Sequence, residues 1–426
     1  MSRGDARMQS APLADLDHLW LPYAQMQTAP APLPVVRTEG CRIYLADGRV
    51  LIDGIASWWT VCHGYNHPHI RDAVARQLEV LPHVMMAGLV HEPVVRLASR
   101  LAARLPGDLD HVFFSDSGSV AVEIALKMAA QFFLNCGQAN RNRFVYFAHG
   151  YHGDTFGAMA VSDGQTGMHG RFAGLAQRHF LRELPHDATG EEAFDEFLAD
   201  HGGELAGIIV EPLVQGAGGM AFHPPEVLRR LRRLADRHGI LLIFDEIFTG
   251  FGRTGRMFAM EESGIVPDIM TLSKALTGGT LPLAATVARR KVYEGFLSDD
   301  PQAALMHGPT FMGNALACAA ANASLDLFDS EPRLEQVETI RRQLDEDLAP
   351  CRNAPGVVDV RVKGAIGVVE LDRADNIAAL RERFVADGVW IRPFGRVIYL
   401  TPAYTITSDE LSALTGAIRR AVTHSR

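Results

Sequence analysis

Five short apolar runs recur through the middle of this 426-residue chain: HVFFS (111–115), RFVYFA (143–148), GIIVE (207–211), ILLIF (240–244) and IMTLS (269–273). Each is too short for a helix, and helical patterns lie between them, so they read as strands buried on both faces of a mostly parallel sheet. One intervening helix is legible in detail. Pro224-Pro225 start it, Val227, Leu228, Leu231 and Leu234 form its apolar stripe, and Gly239 ends it just before the ILLIF strand. The fold class is therefore α/β. Asp116, His149, Pro212, Asp245 and Lys274 each fall at or just after a strand's carboxyl end. In open α/β sheets that edge forms the ligand crevice, so the five point to one shared site.

The flanks differ in character. Residues 1–34 are rich in Pro and Ala, and the first seventeen carry acids without an apolar core, so no secretory leader is expected. RIYLADGRVLID (42–53) reads as a hairpin about Asp47-Gly48. Beyond residue 330, VVDVRV, GVVEL, a helix ending near Asp387-Gly388, VWIRPFG and VIYLTPAY form a smaller α+β unit, expected to pack with the N-terminal hairpin. The expected division is 1–65, 66–328 and 329–426, with the small unit drawn from both ends of the chain.

A net charge of −9 speaks against nucleic acid as a partner. No stretch approaches 18 uninterrupted apolar residues, so no membrane span is expected. Five scattered cysteines without CxxC spacing suit a reducing cytoplasm better than a disulfide framework or zinc site. His63 with His67, and His149 with His152, are spaced as metal pairs could be, yet no third ligand converges with either; they read as structural or loop histidines.

Of 41 basic residues only Lys127, Lys274, Lys291 and Lys363 are lysines. Lys274 alone sits at a strand end among glycines, in DIMTLSKALTGGT (268–280), and Asp245 ends the preceding strand in IFDEIFTGFGRTG (243–255). Pyridoxal phosphate needs this combination: a lysine amine to carry it and a carboxylate to keep its ring nitrogen protonated. Gly250–Gly255 fits a dinucleotide GxGxxG, but Asp245-Glu246 separate it from its strand and no helix opens after it. LLIFDE resembles an ATPase segment, yet no lysine follows a glycine anywhere in the chain. Ser117-Gly118-Ser119, before the helix VAVEIALKMAAQFF, suits a phosphate at exposed helix-start amides and equally suits an ordinary N-cap. Tyr151, past another strand end, is placed to stack on a cofactor ring.

At these motifs the chain resembles the class III pyridoxal-phosphate aminotransferases of fold type I, from about Leu19 to the C-terminal helix. SWW…HGYNHP (57–68), DSGSVAVE (116–123), GYHGDTFGAM (150–159), EPLVQGAGGM (211–220), HGPTFMGN (307–314) and WIRPFG (390–395) bring it near those class III enzymes that move an amino group from S-adenosylmethionine to 8-amino-7-oxononanoate in biotin biosynthesis. The resemblance implies that Lys274 carries the cofactor, Asp245 pairs with the ring nitrogen, Gly118 and Ser119 bind the phosphate, and Tyr151 stacks on the ring. It implies a homodimer in which Gly308, Pro309 and Thr310 reach the partner's site, Thr310 completing the phosphate contacts. Tyr23, Trp58, Trp59 and Tyr151 would line the substrate channel and Arg392 would take the keto acid's carboxylate. Glu211 is expected near the cofactor. A different ω-amine or keto acid, or lysine as donor, remains an alternative, as does, outside this class, a nicotinamide dehydrogenase.

Overall fold

A computed structural model describes residues 18–164, 169–172, 174–175, 177–373 and 377–423. Strands β1 (Val35–Glu39), β2 (Arg42–Leu45) and β3 (Val50–Asp53) form an antiparallel meander, with Gly48 at φ +89° in the β2–β3 turn. The central sheet has seven strands: β4 (Leu109–Ser115), β5 (Arg143–Phe147), β6 (Phe180–Arg182), β7 (Leu205–Val210), β8 (Leu241–Asp245), β9 (Ile269–Leu272) and β10 (Ala284–Arg289). Their spatial order is β4-β10-β9-β8-β7-β5-β6. β7, β8 and β9 are buried along their whole length, which is why they read as unbroken apolar runs.

Strand β10 escapes the sequence reading. Its core, Ala284-Ala285-Thr286-Val287-Ala288, is alanine-rich, yet it lies antiparallel between β4 and β9. Small side chains fit there because the helix Gly118–Asn135 crosses close above, and the Thr286 hydroxyl donates to the Ala121 carbonyl of that helix at 2.9 Å. Two antiparallel steps return β4 to the direction of β9, so the loops after β4, β5, β7, β8 and β9 open on one edge of the sheet.

The helix Pro225–Arg237 buries Val227, Leu228, Leu231 and Leu234, each side chain contributing about 1.5–3 kcal/mol. Its other face accounts for part of the arginine excess: Arg230 and Arg233 pair with Glu191, and Arg232 with the buried Asp268. The GxGxxG look-alike is a clamp. Gly252 (φ +91°) and Gly255 (φ +107°) turn the chain so that buried Arg253 donates to the carbonyls of Ala365 and Pro402, at 3.2 and 2.8 Å.

Toward the C-terminus, β11 (Val357–Lys363), β12 (Ile366–Leu371) and β14 (Val397–Leu400) form one antiparallel sheet. The short β13 (Val389–Trp390) joins β3 in parallel, placing residues just before Arg392 beside the N-terminal meander. The helix Ala315–Ser330 runs two residues past the division expected at 328. Among the described residues, no helix is long and apolar enough to cross a membrane, and no group of three or more His, Cys, Asp or Glu side chains could hold a metal ion.

Candidate active site

Strands β8 and β9 run parallel with Asp245 opposite Thr271, so Asp245 and Lys274 leave adjacent strands at the same edge. Lys274 has φ +47°, a left-handed conformation a non-glycine residue adopts only where its surroundings hold it there. Its Nζ lies 4.3 Å from the centre of the Trp59 ring and 5.9 Å from that of Phe248. Burial lowers this amine from 10.5 to about 8, against the opposing pull of Asp245, Glu211 and Asp154. The other lysines are engaged elsewhere: Lys127 with the Met306 carbonyl, Lys291 with Asp268 and Lys363 with Glu262.

The carboxylates beneath Lys274 are buried and well supplied with donors. Asp245 accepts from Thr271 Oγ1 and the Ile247 amide, both at 3.1 Å, and bonds His152 Nδ1 at 2.7 Å. Glu211 accepts from the amides of Tyr151 and Gly216 at 3.0 and 2.9 Å, and burial pushes its carboxyl up to about 7. Glu211 thus ties the loop after β5 to the loop after β7.

Gly118 and Ser119 open the helix after β4, where the first amides have no acceptor within the helix; Ser117 caps it by accepting from the Val120 amide at 3.4 Å. The Ser119 hydroxyl accepts from the Asp154 amide at 3.0 Å. This approach requires Gly153, at φ +130°, because a Cβ there would stand 2.3 Å from Ser119 Oγ.

The mouth is aromatic. Residues Ala56–Trp59 form a left-handed turn with φ of 45–74° throughout, although none is glycine. Asp53 pins it, accepting from the amides of Ile55 and Ser57 at 2.9 and 2.8 Å and from the Tyr65 hydroxyl at 2.7 Å. The turn sends its two tryptophans to different places. Trp58 stays 38% exposed, edge-on to Tyr23 at 6.3 Å and under the Arg392 guanidinium at 4.4 Å. Trp59 is buried between Lys274 and Phe248, so it forms floor and not channel wall. Tyr23 and Tyr151 both donate to Asp154, at 2.5 and 3.0 Å, and burial with this carboxylate pushes the Tyr23 hydroxyl up to about 12. Tyr151 also stacks on His169, centroids 5.6 Å apart. Among the described residues no carboxylate pairs with Arg392.

Gly308, Pro309 and Thr310 are not brought to this cluster. The segment before them hangs from later turns of the helix Gly118–Asn135, through Lys127 to Met306 and through Gln131 and Asn135 to the carbonyls of Ala304 and Ala303. Gly308 and Thr310 are exposed. His152 and Asp154, on the other hand, belong to the site, although sequence reasoning sets His152 aside and does not single out Asp154. Both lie just past a strand's carboxyl end, which is the available signal, but spacing alone does not show which loop side chains turn inward.

A lysine amine in the crevice, a buried aspartate on the adjacent strand and free amides at a helix start fit pyridoxal 5′-phosphate, with Lys274 to carry it, Asp245 for the ring nitrogen and Gly118-Ser119 for the phosphate.

The chain belongs to the class-III aminotransferases, whose family profile matches residues 23–422. That family uses pyridoxal 5′-phosphate. More particularly, it is 42% identical over 421 residues to an adenosylmethionine-8-amino-7-oxononanoate aminotransferase of Buchnera aphidicola, covering 97% of this chain and 98% of the relative. The crystal structure of an enzyme of the same name from Methanocaldococcus jannaschii superposes with a TM-score of 0.90 at 31% identity, covering 95% and 97% of the two chains. A PLP-bound amine transaminase from an uncultivated Pseudomonas species gives 0.89 at 32%, covering 96% and 99%.

Proposed function

We propose that this aminotransferase moves the amino group of S-adenosylmethionine to 8-amino-7-oxononanoate, giving 7,8-diaminononanoate for biotin biosynthesis. The observation that carries the reading is the mouth. Arg392, stacked on Trp58 and without a carboxylate partner among the described residues, offers a fork for a carboxylate, and the rings of Trp58, Tyr23 and Tyr151 offer walls for the apolar chain behind it. Near full-length similarity to relatives bearing that name supports the same substrates.

Bound pyridoxal phosphate supplies an electron sink that lets one carbon give up its amino group and another receive it. The protein's own groups do the rest. Lys274 Nζ, with its affinity for protons lowered by burial, is the base that would take the proton from the carbon bearing the amine and, once protonated, the acid that would deliver it within the same half-reaction; with the keto acid the two transfers would run in reverse. Asp245 orients the ring nitrogen and Gly118-Ser119 anchor the phosphate. Asp154 is held between two tyrosine hydroxyls and leaves a carboxylate at the mouth. One floor serving two substrates in turn predicts ping-pong kinetics.

The second assignment is a homodimer in the cytoplasm. Exposed Thr310 and Gly308, which touch none of the site's side chains among the described residues, support a role in a partner's site, and four of five free cysteines are buried thiols, consistent with a reducing compartment. A native mass of twice the 46.5 kDa chain is expected. The deciding assay offers 8-amino-7-oxononanoate with either S-adenosylmethionine or lysine. Product is expected with S-adenosylmethionine alone; product with lysine alone would overturn the donor assignment.

A further inference from the structure

Resting on the cofactor reading above, we infer that Arg333, His63 and Ser324 form a one-way hydrogen-bond relay that positions the turn carrying Lys274. Arg333 Nε donates to His63 Nδ1 at 3.0 Å, His63 Nε2 lies 3.0 Å from Ser324 Oγ, and Ser324 Oγ donates to the Ala275 carbonyl at 3.4 Å. The first link sets the direction. A guanidinium has no acceptor, so Nδ1 must accept, and the ring is the neutral tautomer with its proton on Nε2. Burial and the adjacent guanidinium act the same way, holding His63 well below the usual histidine range. Ser324 Oγ therefore accepts from His63 and keeps its own proton for Ala275, the residue after Lys274.

The relay arrives where the turn needs support. Lys274 is left-handed, a conformation that persists only when its surroundings over-determine it. On the side before it, Ser273 Oγ donates to the Leu283 carbonyl at 2.9 Å. On the side after it, the Ala275 carbonyl takes the Gly278 amide at 2.9 Å on one lone pair and Ser324 on the other, with the Cys62 thiol a weaker donor at 3.8 Å. The three relay side chains are at most 2% exposed, so solvent does not compete for their polar atoms. Arg333 opens the helix Arg333–Leu348 and is held there by Gln336 Oε1 and Glu331 Oε2, both at 2.8 Å. The C-terminal unit is thereby tied to the strand-end lysine. A ring that merely filled the space beside Gly278 would need neither nitrogen; here both are committed.

The experiment uses cofactor-free wild type, Ser324→Ala, Arg333→Met and the double variant, with circular dichroism to check folding. Two probes separate the lysine from the rest of the site. Pyridoxal 5′-phosphate joins its aldehyde to the Lys274 amine with loss of water, which stopped-flow absorbance follows. Pyridoxamine 5′-phosphate has no aldehyde and reports the phosphate and ring contacts alone, through quenching of tryptophan fluorescence. Each single variant is expected to slow capture of pyridoxal phosphate about three- to tenfold, the worth of one hydrogen bond, while binding pyridoxamine phosphate within about twofold of wild type. Because both residues act through one relay, the double variant should be no slower than the slower single one. In the reconstituted enzymes kcat/KM should fall by a similar factor for both substrates, since one lysine serves both half-reactions. A wild-type capture rate in Ser324→Ala, equal losses with the two probes, or additive losses in the double variant would overturn the inference. If Arg333→Met does not fold, Arg333→Lys, which keeps the charge without a nitrogen at the Nε position, replaces it with the same expected slowing. Wild type that binds neither probe would instead overturn the cofactor reading, and the role of the relay with it.

Discussion

At the floor of the crevice, Asp245, Glu211 and His152 are buried, and their contacts come from strand ends and the loops directly after them. At its mouth, Tyr23, Trp58 and Asp154 are exposed; Trp58 lies against Arg392, and Tyr23 meets both Trp58 and Asp154, from stretches lying far apart in the chain. The floor is rigid because each carboxylate has several donors and no room to turn. The mouth is held by ring contacts and by one strained turn, itself tied down by Asp53. Chemistry common to a whole family needs the first kind of construction, and choice of substrate needs only the second. Changes at the floor should therefore cost turnover with any substrate, and changes at the mouth should cost one substrate more than another.

The largest expected effect is at the floor. Lys274→Ala should lower turnover about a thousandfold or more with every donor and abolish the cofactor's lysine-linked absorbance. Absorbance surviving in that variant would remove Lys274 from its assigned role. At the mouth, Arg392→Ala should raise KM for the keto acid about ten- to a hundredfold, the worth of a hydrogen-bonded charge pair, while leaving the half-reaction with S-adenosylmethionine nearly unchanged. Equal losses in both half-reactions would erase the distinction between floor and mouth. The smallest effect concerns pH. With Lys274 at about 8, capture of the cofactor by the cofactor-free protein should rise about tenfold per pH unit up to 8 and then level off, as stopped-flow absorbance would show. Between 8 and 10.5 the unfolded chain binds more protons at this lysine than the folded one, so the contribution of Lys274 to stability grows as pH rises through that window.

Much of the floor is legible in the sequence, because a strand's buried run announces where its carboxyl end lies. Asp245 and Lys274 emerge in that way, and the scarcity of lysine narrows the choice. Strand β10 does not emerge, because alanines carry little strand signal and its place is set by a helix crossing overhead. His152 reads as a loop histidine because its loop's direction depends on Glu211 and Ser162, residues with which it shares no periodicity. Trp58 and Trp59, adjacent in the chain, read together as channel wall; the left-handed turn sends one to the mouth and the other beneath Lys274.

From sequence alone come the α/β class, the strand ends, the lysine and aspartate pair and the resemblance that places the family. These are local or periodic properties, carried by apolar runs and by the residues at their carboxyl ends. The tertiary structure decides which loop residues face inward, how three donors share one aspartate, and how Tyr23, Trp58 and Arg392 meet. Those depend on contacts between residues far apart in the chain, and no spacing rule encodes the packing that brings them within reach.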